Sequence, residues 1–250
     1  MKIVRFLHQK HIAWAAVEDN NLVLLRDEPF CGIRLSSVKI PLHRVKLLAP
    51  TIPSKVILTG LNYKDHAREL RMSLPKEPVL FLKPPTAVIG HNDVVVYPKE
   101  VKRLDYEAEL AVVIGKKCKN VSAQKAHRYI FGYTCLNDIT ARDIQRRDVQ
   151  WTRAKSFDTF CPIGPWVETQ LKAEDLIIKL SLNGVLRQLS VTSELIFSIP
   201  HIISFASRVM TLLPGDVIST GTPHGVGPMK RGDTVEVDIE GIGLLRNYIR

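Results

Sequence analysis

The feature that most constrains this fold is the short apolar run at residues 106–114, which carries two glutamates and ends at Gly115. Its length, its apolar content and the closing glycine predict a β-strand. Because side chains alternate between the two faces of a strand, Glu107 and Glu109 are expected on the same face, about 6–7 Å apart. Two carboxylates on an otherwise buried strand repel each other and lose hydration. The run therefore predicts either exposure at a strand end or a cation held between the two acids.

A third carboxylate, Asp138, ends the next apolar run, at residues 131–138. A strand is expected to give way there to a helix, because Thr140 and Asp143 form a capping pattern. Three carboxylates with no neighbouring cysteine or histidine make a set of hard oxygen ligands, which suits Mg²⁺, Mn²⁺ or Ca²⁺ with water or substrate completing the shell. Two acids on a surface strand and an unrelated loop aspartate would explain the same residues.

Four further patterns surround these acids in a fixed order along the chain. They are G-x-N-Y-x-x-H-x-x-E at 60–69, N-D-x-T-A-R-D-x-Q at 137–145, A-K-x-F-D-T-F at 154–160 and G-T-P-x-G-V-G at 221–227, with D-Y-E-x-E at 105–109. Each is weak alone, but the ordered set over residues 55–250 resembles the fumarylacetoacetate hydrolase (FAH) family. The similarity is closest to its small acylpyruvate hydrolases and 2-hydroxyhepta-2,4-diene-1,7-dioate isomerases.

The resemblance implies roles for ten residues of these patterns. Glu107, Glu109 and Asp138 are the implied ligands of a Mg²⁺ ion, with Mn²⁺ or Ca²⁺ as alternatives. The implied substrate-binding residues are Arg142, Gln145, Gly221 and Thr222. Arg142 and Gln145 also follow Asp138 at offsets of four and seven, which places them on one face of the expected helix. The glycine-rich loop lets backbone N–H groups approach an anion closely.

His66, Glu69 and Lys155 are the implied catalytic residues. His66 and Glu69 are spaced i and i+3 on a short helix expected over residues 62–70, which suits either a surface ion pair or a histidine base oriented by a carboxylate. Lys155 could equally be a solvated surface lysine or a cation that holds a substrate carboxylate or stabilises an enolate. The resemblance favours the catalytic alternatives, and implies that the dyad lies on a lid, residues 62–80, which orders over bound substrate.

The chain as a whole predicts an α+β, β-rich fold with two units. Residues 1–52 are expected to form a small N-terminal β domain with strands at 2–7, 12–17 and 22–26, and residues 53–250 the catalytic domain. Asn183-Gly184 predicts a tight hairpin, Ser198 a helix start, and the run 158–165 a turn-rich edge. The resemblance implies the FAH-type mixed β-sandwich roll, assembled as a homodimer.

Composition narrows the choice of partners. The net charge is +10, but the basic residues are scattered and no nucleic-acid-reading motif accompanies them, so attraction of anionic small molecules is the favoured explanation. The longest apolar runs are strand-sized and the start lacks a signal-peptide core. The four cysteines show no paired spacing, which is typical of reduced thiols in a cytoplasmic protein.

The function implied by the resemblance is Mg²⁺-dependent hydrolysis of a C–C bond in acylpyruvate-type 2-oxo acids, through a metal-stabilised enolate. One alternative keeps the metal but isomerises, tautomerises or decarboxylates 2-oxo diacids, oxaloacetate among them. The other alternative is a basic binding protein without catalytic activity.

Overall fold

The computed structural model describes residues 1–250, and most of its regular structure is β. The strands are β1 (Lys2–His8), β2 (His11–Glu18), β3 (Asn21–Leu25), β4 (Leu35–Pro41), β5 (Lys46–Leu48), β6 (Val56–Gly60), β7 (Val79–Lys83), β8 (Val88–Ile89), β9 (Val94–Val95), β10 (Leu104–Tyr106), β11 (Ala108–Ile114), β12 (Ile130–Asn137), β13 (Thr140–Ala141), β14 (Cys161–Glu168), β15 (Ile177–Leu182), β16 (Val185–Val191), β17 (Val217–Ser219), β18 (Gly227–Met229), β19 (Thr234–Ile239) and β20 (Gly243–Ile249).

The helices are short and few. They are α1 (Lys64–Glu69), α2 (Arg142–Arg147), α3 (Thr152–Lys155) and α4 (Ile199–Val209), with single 3₁₀ segments at Pro29–Cys31, Leu42–Arg44, Pro85–Ala87, Ala123–Tyr129 and Thr192–Glu194. Only α4 runs for three turns, and it starts after Ser198 as expected. None of these helices combines the length and the apolar character needed to cross a bilayer.

Three sheets build the molecule. The largest has twelve strands. Ten of them follow the order β4-β3-β2-β1-β14-β12-β11-β17-β6-β7, and the other two branch from it, with β5 paired to β1 and β8 paired to β14. The two smaller sheets have the orders β13-β10-β18 and β16-β15-β19-β20-β9. The main core lies between β11 and β12 on one side and β15, β19 and α4 on the other, with Leu110, Leu180 and Ile202 fully buried. This arrangement confirms the expected α+β, β-rich fold of the FAH type.

The N-terminal unit has all three predicted strands, together with β4 and β5, which were not predicted. It does not form a sheet of its own, because β1 pairs with β14 through Lys2 with Glu168 and Ile3 with Val167. The first fifty residues therefore extend the sheet of the larger unit. The division between residues 52 and 53 stays an interpretation.

The strand predicted over residues 106–114 is interrupted at Glu107. The Glu107 N–H donates to Oδ1 of Asn137 at 2.9 Å, and its carbonyl accepts from the Asp138 N–H at 2.8 Å. Residues before Glu107 belong to β10 in the three-stranded sheet, and residues after it belong to β11 in the large one. The chain thus changes sheets at the first acid of the E-x-E pattern.

Two local predictions were wrong. Thr140 does not cap α2: it lies in β13 opposite Asp105, its hydroxyl donates to the Asp138 carbonyl at 2.9 Å, and the helix begins at Arg142. The run 158–165 is not an edge either, since β14 lies between β1 and β12 in the large sheet. Its prolines are tolerated because the ladder to β12 shifts register between Tyr133 and Cys135.

Candidate active site

The three acids predicted to bind metal lie together in the structure. Glu107, Glu109 and Asp138 each offer one oxygen, these oxygens lie within 4.8 Å of one another, and all three residues are buried. Antiparallel pairing of β11 with β12 sets Ala108 opposite Asn137, which brings Asp138 alongside the E-x-E segment. Local alternation and one long-range strand pair therefore build the cluster.

The positively charged side chains near the cluster contact Glu107 and Asp138, and so compensate the negative charge of some acids more than of others. Lys155 Nζ lies 3.0 Å from Oε2 of Glu107 and 2.5 Å from Oδ2 of Asp138, and the Arg142 guanidinium contacts the other oxygen of Glu107. Burial alone would raise the pKa of Glu107, but Lys155 and Arg142 outweigh it and hold that pKa well below its ordinary value. Glu107 is therefore an anion firmly held by two cations.

Glu109 is the acid that lacks positive charge. Burial raises its pKa well above the ordinary value, and repulsion from Asp138 and Glu107 adds to the effect. Its Oε2 accepts from the Ser219 hydroxyl and from the Gly221 N–H, the latter at 3.0 Å. These neutral donors orient the carboxylate without neutralising it.

The donor set fits a hard divalent cation. All three side chains offer oxygen, which is the preference of Mg²⁺ and Mn²⁺. The buried Oδ1 of Asp138 accepts no hydrogen bond, although Lys83 Nζ lies 2.5 Å away as an ion pair outside hydrogen-bonding geometry. A cation among the three oxygens would also remove the repulsion that raises the pKa of Glu109. FAH-family proteins commonly bind a divalent metal.

The cluster forms the polar end of a cavity of about 310 Å³, called the inner cavity below. Its other polar lining residues are Thr59, His66, Arg142, Gln145, Lys155 and Thr222. The apolar lining residues are Leu61, Leu70, Met72, Phe81 and Trp151, and Lys155 Nζ lies 5.0 Å from the centroid of the Phe81 ring. The rings of Phe81 and Trp151 meet edge to face at 5.2 Å between centroids. The inner cavity can thus receive a small molecule with one polar end and an apolar remainder.

The predicted dyad is present as a contact pair at the mouth of this cavity. His66 Nδ1 lies 2.9 Å from Oε2 of Glu69. Because an ionised carboxylate only accepts hydrogen bonds, Nδ1 carries the hydrogen and Nε2 is left as the free acceptor. Glu69 is held in turn by the Gly225 N–H at 3.1 Å. A Cβ at position 225 would meet the Arg187 carbonyl oxygen at 2.4 Å, so only glycine allows this approach.

Helix α1 is docked onto the rest of the site by its acidic and basic residues. Asp65 accepts from Ser190 at 2.5 Å and lies 3.1 Å from His224 Nδ1, and Arg68 donates to Glu194 at 3.0 Å. The segment after α1 is different in character, because residues 70–74 are all exposed. The predicted lid therefore has a helical part with specific contacts and a following part with few.

Hydrogen exchange should change in this lid when ligand binds. We expect amides of residues 64–77 to gain protection when oxalate and Mg²⁺ are added, because a bound anion would hold α1 and the exposed segment against the cavity. Asn62 and Tyr63, the first two residues of the predicted lid, are fully buried and so fall outside it; they serve as the internal control, with amides expected to be protected in both states. Equal protection of residues 64–77 with and without ligand would contradict the lid.

Ten site residues were predicted, and all but two of them line the inner cavity. Eight line it: His66, Glu107, Glu109, Asp138, Arg142, Gln145, Lys155 and Thr222. Glu69 stands behind His66, and the Gly221 N–H is engaged by Glu109 instead of facing the cavity. The roles given to all ten residues remain proposals.

Three buried residues of the site were missed at the sequence level. Lys83 donates to the carbonyls of Ile139, at 2.9 Å, and Phe160 beside Asp138. Asp105 accepts from Arg142 Nε at 2.9 Å and so fixes that guanidinium. The third is Gln188, which connects two parts of the site. The available signals were the lysine that closes the apolar run 79–83 and the aspartate that opens the D-Y-E-x-E pattern.

Gln188 joins the metal-site strand to the glycine-rich loop. Its Oε1 accepts from the Ala108 N–H at 2.9 Å, and its Nε2 lies 3.0 Å from the Thr222 hydroxyl and 2.9 Å from the Pro223 carbonyl. The side chain is fully buried. The Gln188 side chain thus links Ala108, which lies between Glu107 and Glu109, to Thr222, which was predicted to bind substrate.

Comparison with known proteins agrees with this architecture. A Bacillus subtilis protein named oxaloacetate tautomerase YisK is 45% identical over 230 residues, covering 86% of this chain and 76% of that protein. The crystal structure of 2-hydroxyhepta-2,4-diene-1,7-dioate isomerase from Mycobacterium marinum has a TM-score of 0.93 and 43% identity, covering 100% of this chain and 98% of that one. Maleylpyruvate hydrolase from Sphingobium sp. SYK-6, in complex with manganese(II) and pyruvate, has a TM-score of 0.83 and 33% identity, covering 100% and 98%.

Two family models match the chain. One described as Rv2993c-like, N-terminal, matches residues 1–50. The other, described as fumarylacetoacetate (FAA) hydrolase C-terminal, matches residues 55–250. With most of its length matched by the second model, and with relatives named as tautomerases and isomerases, this chain belongs to the fumarylacetoacetate hydrolase family of enzymes.

Proposed function

We propose that this enzyme binds Mg²⁺ or Mn²⁺ at Glu107, Glu109 and Asp138 and interconverts the keto and enol forms or double-bond isomers of 2-oxo acids. The observation that carries the proposal is the group of three buried carboxylates, with oxygens within 4.8 Å, at the polar end of a cavity with an apolar wall. A homodimeric state and a cytoplasmic location are further parts of the proposal.

The chain's own residues would bind and orient such a substrate. When bound, a divalent cation supplies positive charge to the carboxylate and keto oxygens of a 2-oxo acid. Arg142 and Gln145 would donate hydrogen bonds to the same oxygens, and Thr222 to the carboxylate. Arg142 already donates to Gln145 at 2.5 Å, so the two side chains are held together beside the acids.

Lys155 would act as a fixed positive charge and not as a base. Burial alone would lower the pKa of this ammonium, but Asp138 and Glu107 raise the pKa above its ordinary value. Lys155 therefore stays protonated at neutral pH. Its position favours negative charge that develops on a nearby substrate oxygen.

His66 would move the proton. Its free Nε2 takes a proton from C3 of the 2-oxo acid, the electron pair of that C–H bond forms the C2=C3 double bond, and the keto oxygen takes up a proton to give the enol. Return of a proton to C3 regenerates the keto form. Glu69 would hold the ring in a fixed orientation during the transfer.

The relatives favour keto–enol or double-bond isomerisation over hydrolysis as the reaction of this chain. The Bacillus subtilis tautomerase and the Mycobacterium marinum isomerase share 45% and 43% identity with this chain, and the maleylpyruvate hydrolase shares 33%. Hydrolysis of an acylpyruvate is kept as the second candidate, because the His66–Glu69 pair could equally activate water. Water would add to the distal keto carbon, and the breaking C–C bond would leave its electron pair on C3 of pyruvate, which then takes up a proton.

A panel of 2-oxo acids, followed by NMR with and without chelator, tests the proposal. We expect wild-type enzyme with Mg²⁺ to accelerate exchange of the C3 proton and keto–enol conversion of at least one 2-oxo acid, and chelator to abolish the effect. His66→Ala is expected to lower kcat/KM by about 10²–10⁴-fold, the usual effect of removing a positioned base.

The matched control is His201→Ala, an exposed histidine that lies outside the inner cavity and stacks on Phe197. Its kcat/KM should stay within about twofold of wild type. Unchanged turnover in His66→Ala would rule out the proposed base. Pyruvate release from acylpyruvates without any keto–enol activity would favour the second candidate.

A further inference from the structure

Gln188 holds three consecutive residues of the glycine-rich loop with one amide group. Its Nε2 lies 3.0 Å from the Thr222 hydroxyl, 2.9 Å from the Pro223 carbonyl and 3.2 Å from the His224 carbonyl. The side chain is fully buried, although β16 is the edge strand of its sheet and both neighbours of Gln188 along the strand are exposed. A buried amide is costly unless its hydrogen bonds are made, so its contacts define what it does.

The backbone fixes which end of this amide faces the loop. The Ala108 N–H can only donate, and its partner at 2.9 Å is Oε1 of Gln188. The Pro223 and His224 carbonyls can only accept, so they face the hydrogens on Nε2. Turning the amide over would set donor against donor at Ala108 and acceptor against acceptor at the loop. Nε2 therefore donates to Thr222, and the Thr222 oxygen accepts.

The direction of that hydrogen bond decides what Thr222 offers to a ligand. A threonine hydroxyl has a single hydrogen to donate. Because its oxygen receives a hydrogen from Gln188, its own hydrogen must point elsewhere, and no group of the chain accepts it. Thr222 also lines the inner cavity. The hydroxyl is therefore available to a bound molecule as a donor.

The loop that carries this hydroxyl is held at both ends. Glu109 accepts from the Gly221 N–H at 3.0 Å, and Glu69 accepts from the Gly225 N–H at 3.1 Å. Gln188 fixes the three residues between these two glycines. The donor is thus preorganised before a ligand binds, which avoids the cost of ordering it during binding.

We propose that Gln188 is a positioning residue that presets Thr222 as a hydrogen-bond donor, so that the inner cavity selects a carboxylate oxygen over an N–H group at this position. The role rests on the proposed function, in which Thr222 binds the substrate carboxylate, and it adds the residue that fixes the direction of that contact. A glutamate at position 188 would have the reverse effect, because a carboxylate only accepts. The Thr222 hydroxyl would then donate to residue 188 and turn its lone pairs toward the cavity.

The test measures how Gln188→Glu changes the choice between oxalate and oxamate, in which an amide replaces one carboxylate. Calorimetric titration at saturating Mg²⁺ gives Kd for both ligands, and the oxamate Kd is divided by the oxalate Kd. Wild type is expected to bind oxalate more tightly. Gln188→Glu should lower the ratio by about tenfold or more, because a hydrogen bond to a charged group is lost.

The added negative charge alone would also disfavour the dianion oxalate, so the same change is measured in a Thr222→Val background. There the charge remains and the hydroxyl is absent, so the ratio should change less than in protein that keeps Thr222. Gln124→Glu adds the same charge at an exposed glutamine that does not line the inner cavity, and its ratio should stay within about twofold of wild type. Equal changes with and without the Thr222 hydroxyl would overturn the proposal.

Gln188→Met provides a second test if the buried carboxylate prevents folding. It removes the donor without adding charge, and should weaken oxalate binding by about three- to tenfold in protein with Thr222 but not in the Thr222→Val background. Equal losses in both backgrounds would assign Gln188 to packing of the loop alone. If Thr222→Val leaves oxalate affinity unchanged, the proposed carboxylate contact and the role of Gln188 both fail. The expected change in ligand choice without turnover of any 2-oxo acid would uphold the role of Gln188 and contradict only the proposed reaction.

Discussion

Glu109→Gln is expected to weaken Mg²⁺ binding by more than about 100-fold and to reduce turnover to the level seen with chelator. Loss of a residue that merely supports a metal ligand costs about 10–100-fold in affinity, so loss of an anionic ligand should cost at least the upper value. Calorimetric titration of Mg²⁺ and Mn²⁺ measures the affinity directly. Glu100→Gln, which removes an exposed acid that does not line the inner cavity, should leave the affinity unchanged.

The same variant should behave in the opposite way without metal. Burial and the neighbouring acids raise the pKa of Glu109, so the folded protein holds more protons than the unfolded chain between the ordinary glutamate pKa and the raised one. The free energy of unfolding of chelated wild type should therefore fall as pH rises through that window. In Glu109→Gln this fall should be smaller, and Tm at neutral pH should be higher than in chelated wild type. Unchanged metal affinity together with an unchanged pH profile would exclude Glu109 from the site.

Lys155→Met is expected to lower the free energy of unfolding of the metal-free protein by about 3–5 kcal/mol, the usual cost of removing one partner from a buried ion pair. The ammonium is only 2% exposed and contacts both Glu107 and Asp138, so its loss leaves two buried acids with less compensation. Chemical denaturation in the presence of chelator measures the effect. Added Mg²⁺ should restore part of the loss, because it supplies charge to the same oxygens.

The control for Lys155→Met is Lys39→Met. Lys39 pairs with Glu18 at 3.2 Å, with side chains 59% and 48% exposed, and such pairs contribute only about 0–1 kcal/mol. A similarly small effect of Lys155→Met would show that the buried lysine does not compensate the acids. A loss of turnover without a loss of stability would assign Lys155 to substrate alone.

Much of this site follows from short-range patterns. Alternation along a strand placed Glu107 and Glu109 on one side, and the two acids remain within one cluster although the strand is interrupted between them. The i, i+3 spacing of His66 and Glu69 was enough to predict their contact, because both lie on one helical turn. The Asn183-Gly184 turn and the start of α4 after Ser198 are likewise set by neighbouring residues.

The features of the fold and site that were not predicted depend on contacts between residues far apart in the sequence. Lys83 and Gln188 bond to residues 56 and 80 positions away, so neither role is visible in the local pattern. The break at Glu107 has the same origin, since Asn137 competes for its N–H from thirty positions along the chain. The prolines of β14 indicated an edge, whereas the position of that strand is decided by β1 and β12.

The pairing of β1 with β14 has a consequence for how the protein is made. The first five strands can pair among themselves as soon as residue 48 has been synthesised, because all their other partners lie within that stretch. The edge at Lys2 and Ile3 must wait for Val167 and Glu168. At about 5–20 residues per second, a ribosome needs roughly 6–24 s to extend the chain from residue 48 to Glu168. During that interval the nascent chain presents an open β-edge at Lys2 and Ile3, where a chaperone or a second nascent chain could bind.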